Sequence, residues 1–86
     1  MPEISRFLGI VITMYFNDHN PPHFHVRYEE HRAVIGIDPP EIRGGFLPPR
    51  VIGLVMEWAQ IHREDLRRNW TALATVGTFK RIPPLV

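Results

Sequence analysis

Four Pro-Pro pairs, Pro21-Pro22, Pro39-Pro40, Pro48-Pro49 and Pro83-Pro84, set where regular structure can run in this chain. Proline lacks the backbone donor that a helix or sheet interior needs, and it pushes the preceding residue toward extended geometry. Each pair therefore belongs between elements or at the first turn of one. With no internal repeat, the 86 residues are read as one small domain spanning 1–86. A chain of this length buries only about 60% of the surface exposed by its unfolded form, so its core is small and a homodimer would support it.

Between these punctuation marks the hydrophobic periodicity is clear. From Phe7 to Phe16, residues Leu8, Ile10, Ile12, Met14 and Phe16 form an apolar alternate set, which predicts one strand partly covered on its second face. Asn17 to Pro22 reads as a turn. A second strand over His23 to Glu30 places Phe24, Val26 and Tyr28 on one face and His23, His25, Arg27 and Glu29 on the other. A third follows over Ala33 to Asp38, and Glu41 to Gly45 is either a short edge strand or a turn. Pro49 suits the first helical position. Val51, Leu54, Val55, Trp58, Ala59, His62, Leu66, Trp70 and Leu73 then keep helical spacing. One straight helix over that stretch would span about 38 Å, against a globule about 30 Å across. A break near His62 to Glu64 is therefore expected, and Gly77 ends the second helix. Phe79 to Ile82 is an option for a short C-terminal strand. The expected fold is α+β: a small antiparallel sheet of three to four strands, followed by two helices packed on the face of Phe24, Val26 and Tyr28.

Charge excludes little. Ten cations against nine acids leave +1, too small a net field to mark a nucleic-acid binder by itself. No apolar run approaches the length needed to cross a bilayer, so no membrane partner is expected. The opening MPEISRF lacks the pattern of a secretory signal and there is no cysteine, which together point to the cytoplasm.

Chemistry is concentrated in Asn17 to His25, NDHNPPHFH, where three histidines fall within seven positions. His23 and His25, two apart on a strand, leave the same face, and His19 lies in the preceding turn. As metal ligands, His19, His23 and His25 would hold a divalent transition metal, with Asp18 able to add a carboxylate. Without a metal, His23 and His25 beside Arg27 could act as general acid and base on RNA, with the guanidinium stabilising the charged phosphorane. The bland alternative is a turn cap and two half-exposed strand histidines. His62, in line with the apolar stripe, reads as a partly buried ring or a cap of the first helix. Trp58 and Trp70 read as core. The run Arg63, Glu64, Asp65, Arg67, Arg68 reads as a solvated face with one-turn ion pairs.

The stretch MPEISRFLGIVITMYFNDHNPPHFHVRY, followed by EWAQIHREDLRRNW, resembles the small, largely bacterial domain-of-unknown-function family 4160 over nearly the whole chain. Matching residues are Asn17, Asp18, His19, Pro21, Pro22, His23, Phe24 and His25, then Glu57, Trp58, His62, Arg63 and Trp70. The resemblance implies no established activity. It does imply a component of a two-gene, toxin-antitoxin-like system, with a small protein from a neighbouring gene as partner. The chain would then be an interaction module whose binding surface includes Asn17, Asp18, His19, Phe24 and His62, with RNA as a further partner. A histidine-dependent enzyme, either a metal hydrolase or a metal-free ribonuclease, is the alternative. Pro39-Pro40 departs from the family pattern and puts a fourth strand in doubt.

Overall fold

The apolar stretch Phe7 to Phe16 is the greater part of a hairpin, not one strand. In the computed structural model of the chain, which describes residues 2–86, β1 spans Glu3–Phe7 and β2 spans Ile10–Thr13. Met1 of the Met-Pro opening lies outside the described residues. Leu8 and Gly9 make the turn, with φ of 52° and 79°. Two successive positive φ values give a type I′ turn, whose twist matches that of the flanking strands. The alternation resets there: Phe7 pairs with Ile10 and both are buried, while Leu8 is 53% exposed. Phe16, expected to point inward, lies beyond the end of β2 and is exposed.

β3 (His23–Tyr28), β4 (His31–Ile37) and β5 (Pro40–Gly45) extend this hairpin into an antiparallel meander. The sheet has five strands in the order β1-β2-β3-β4-β5, rather than three to four. β5 forms despite Pro39-Pro40 because Pro40 is the first residue of an edge strand, a position that tolerates a missing donor. The β4–β5 register shifts so that Val34 faces Gly44 and Ile35 faces Ile42, leaving Arg43 as an extra residue. Its guanidinium lies over Gly36, where a Cβ would stand 2.3 Å from Arg43 Nε.

α1 (Pro49–Ile61) and α2 (Arg63–Thr75) meet at His62, where the expected break occurs, and the molecule's longest extent is 34 Å. Pro49 takes the first helical turn as expected. The buried faces of both helices join the sheet residues Phe24, Val26, Ile12 and Ile35 in one hydrophobic cluster. Trp58 is its centre. Fully buried, its ring lies 5.9 Å from Phe7 and 5.8 Å from Phe24, and its indole N–H donates to the Pro83 carbonyl at 2.9 Å. Val11 and Thr13, on the other face of β2, are also buried. Among the described residues, no helix is long and apolar enough to cross a membrane.

The optional C-terminal strand does not form. Phe79 to Ile82 instead lies along the molecule, held by one backbone hydrogen bond and by side chains, and Pro83-Pro84 has no backbone N–H to continue a ladder. Ile82 N–H donates to the Ile4 carbonyl at 2.7 Å. Asn69 clamps Lys80, donating to its carbonyl at 2.8 Å and accepting from its N–H at 2.9 Å. Arg81 donates to the Glu3 carboxylate at 3.1 Å. α2 is tied to the end of β4 by a two-pronged Arg67–Asp38 pair at 2.8 and 2.6 Å, which holds the Asp38 carboxyl below its usual range. The charged face of α2 otherwise carries the expected one-turn pairs, Arg67 with Glu64 and Arg68 with Asp65.

Candidate metal centre

The loop between β2 and β3 turns one charged group, the Asp18 carboxylate, toward the sheet. Asn17 adopts φ of 54°, a left-handed conformation that asparagine tolerates well. Asp18 follows, accepting the His19 N–H on Oδ1 at 2.8 Å and leaving Oδ2 aimed at the sheet. The loop is anchored at its far end by the Ile37 N–H, which donates to the Pro22 carbonyl at 3.2 Å. β3 then starts at His23, with His23 opposite Gly36 and His25 opposite both Thr13 and Val34.

His23 is held by both ring nitrogens. Nδ1 lies 2.8 Å from the Pro21 carbonyl oxygen and Nε2 lies 2.9 Å from Asp18 Oδ2. A carbonyl oxygen can only accept, so Nδ1 carries a proton. Nε2 then meets the carboxylate oxygen either through a hydrogen bond or through a cation that both atoms coordinate. Fixing Nδ1–H on a backbone carbonyl is how proteins present Nε2 to a metal. The ring is further wedged between His25 and Trp70, at centroid distances of 5.1 and 5.2 Å.

His25 Nε2 approaches the same oxygen, Asp18 Oδ2, at 3.3 Å, and its ring meets Tyr15 edge-on at 4.5 Å. One ligand atom from each of Asp18, His23 and His25 therefore falls within 4.8 Å of the others. Ligands at 2.0–2.1 Å from a shared tetrahedral ion stand about 3.3–3.4 Å apart. The two carboxylate–imidazole separations are already close to that edge length. Burial of Asp18 pushes its carboxyl up, but the His19 N–H and the His25 and His23 rings outweigh it and hold it below its usual value. Side-chain exposure rises from 10% at His23 to 30% at His25, so the cluster is open on the His25 side.

The structure redistributes the residues expected to form the site. His19 stands outside the convergent group, its ring 94% exposed with Nδ1 3.2 Å from Asp18 Oδ1. Asp18 takes its place, because the turn points the carboxylate in and the imidazole out. Phe24, expected at a binding surface, is fully buried on the opposite face of β3 and packs on Trp58. Asn17 is exposed in the turn. His62 sits at the α1–α2 junction, 5.7 Å from Trp58 and with Nδ1 3.4 Å from Asp65, and serves the helix break. Arg27 shares the face of His25 and is exposed. Trp70, read as core, contributes as the wall behind His23. Arg32 and Tyr15, which the sequence did not single out, join this face through the β3–β4 register and through the edge-on contact with His25 respectively.

A carboxylate and two imidazoles converging at the mouth of an open sheet face define a small α+β domain with a candidate metal-ligand set. The chain belongs to the family described as Domain of unknown function (DUF4160), whose model matches residues 9–71 and so contains the whole Asn17 to His25 stretch. No curated protein and no solved structure matches it.

Proposed function

We propose that Asp18, His23 and His25 form a divalent transition-metal centre and that the chain is a small metal-dependent hydrolase. The observation that carries this reading is the Pro21 carbonyl on His23 Nδ1, which aims Nε2 at the same carboxylate oxygen that His25 Nε2 approaches. Three protein ligands leave a further position for water or substrate, the arrangement of catalytic rather than structural sites. A bound ion would supply polarisation of an ester oxygen and of water. Elemental analysis of untagged protein after incubation with zinc tests this. About one ion per chain is expected, lost in Asp18→Asn and in the double change His23→Ala and His25→Ala, and kept in His19→Ala. Absence of metal, or metal kept by Asp18→Asn and lost by His19→Ala, would refute it.

A second reading is the interaction module of a two-gene, toxin-antitoxin-like pair. It is supported by edge strand β5, which among the described residues has no strand neighbour on its outer side and exposes Ile42, with Phe46 exposed just beyond it. Co-expression with the neighbouring gene product should then give a complex that charged substitutions at Ile42 and Phe46 disrupt. Failure to co-purify would discard it.

A further inference from the structure

We infer that Arg27 and Arg32 form a phosphate-binding subsite beside the Asp18–His23–His25 cluster. The binding stands on the arginines alone, and only the reaction it would serve rests on the metal reading. The two residues are direct partners in the β3–β4 register, which puts their Cβ atoms about 4.5–5.5 Å apart. Like charges in that position are destabilising, and an anion bound between them would relieve the repulsion. Arg6, Arg43, Arg63, Arg67, Arg68 and Arg81 each reach a carboxylate. Arg27 and Arg32 have no such partner among the described residues, and both are exposed.

The pair lines a depression of about 380 Å³ on the sheet face away from the helices, together with Thr13, Tyr15 and His25. Glu3 also lines it, but its carboxylate is already held by Arg6 at 2.8 Å and Arg81 at 3.1 Å. His25 belongs to both places: it lies two residues before Arg27 on β3, about 7 Å along the strand, and its Nε2 points at Asp18. An anion bridging the two guanidiniums would therefore lie on the same sheet face as His25, beside the metal-ligand cluster. Planar, multi-donor guanidiniums are suited to phosphate oxygens. Phosphate is the ligand chemistry, carried by a small phosphate ester or by a nucleic-acid backbone.

Inorganic phosphate titrated into the whole chain in chelator, followed by amide NMR, tests the subsite without metal. Saturable shifts in the strand residues around Arg27 and Arg32 are expected, with a dissociation constant of about 1 mM. Arg27→Gln and Arg32→Gln should each weaken binding at least about tenfold, as loss of a charge-assisted bond implies. Arg50→Gln, an exposed arginine on α1, should leave it unchanged. Binding that is absent, or equally strong in all three variants, overturns the inference. Metal stoichiometry in Arg27→Gln should stay at the wild-type level, so the subsite and the metal centre fail separately. A short single-stranded RNA binding more than about tenfold tighter than phosphate would assign the ligand to a polynucleotide backbone. Affinity no better than that of ribose 5-phosphate would assign it to a small ester, and both outcomes require the arginines.

Discussion

Replacing Asn69 with alanine should destabilise the protein strongly, because its side chain clamps the segment that follows α2. Its side chain is 4% exposed and makes two hydrogen bonds to Lys80, one as donor at 2.8 Å and one as acceptor at 2.9 Å. At about 0.5–1.5 kcal/mol net per bond, their loss costs about 1–3 kcal/mol. The effect should reach the core. Ile82, 4% exposed, and the Pro83 carbonyl that caps the Trp58 indole both follow Lys80 within three residues. For a domain of this size each kcal/mol moves Tm by about 4–8 °C, so a loss of about 2 kcal/mol should lower Tm by about 8–16 °C. Thermal unfolding followed by tryptophan fluorescence reads the shift, and amide exchange at Ile82 reads the release of the tail. Asn69→Asp keeps the acceptor and should fall between. An alanine variant melting within about 2 °C of wild type, with Ile82 still protected, would refute the clamp.

Three further substitutions test the sheet and its electrostatics. Arg6 and Arg81 hold the Glu3 carboxyl at about 2, against an ordinary 4.5. A depressed carboxyl stabilises the fold above its unfolded value and loses that contribution as pH falls through the folded one. The Tm difference between wild type and Glu3→Gln should therefore be constant above about pH 5 and close between about 4.5 and 2; a difference unchanged down to about pH 2 would refute it. Gly45 has φ of 82°, and a Cβ there would lie 2.2 Å from the Arg32 carbonyl oxygen, while one on Gly44 meets nothing within 4 Å. Gly45→Ala should cost about 2 kcal/mol or more, from left-handed strain plus displacement of the β5 end. Gly44→Ala should be close to neutral. Chemical denaturation of both variants measures the contrast, and equal stabilities would contradict the register.

Elements with one strong period were legible in the sequence. The helices, their break at His62 and the inward residues of β3 and β4 follow from spacing that packing did not override. The β1–β2 hairpin was hidden because Leu8 continues the apolar alternation while adopting a positive φ unusual for leucine. Gly9 inside that run was the available signal. β5 was obscured by prolines that an edge position tolerates. At the site, the spacing of the histidines brought His23 and His25 to one face, but spacing does not say which way a turn side chain points. Asp18 and His19 are neighbours with opposite orientations, and the loop conformation alone decides which of them meets His23. The Arg27–Arg32 pairing depends on the two-residue turn at Glu29 and Glu30, where a shift of one position would put Arg32 on the other face.

Because every strand pairs with its sequence neighbour, the sheet can assemble by successive short loop closures, which favours fast folding. The tail is different: the Arg81–Glu3 contacts span 78 residues. Their closure entropy is small only once the meander and helices have brought those ends together. The tail should then dock after the transition state and act as a kinetic latch. Weakening it would speed unfolding and leave the refolding rate nearly unchanged.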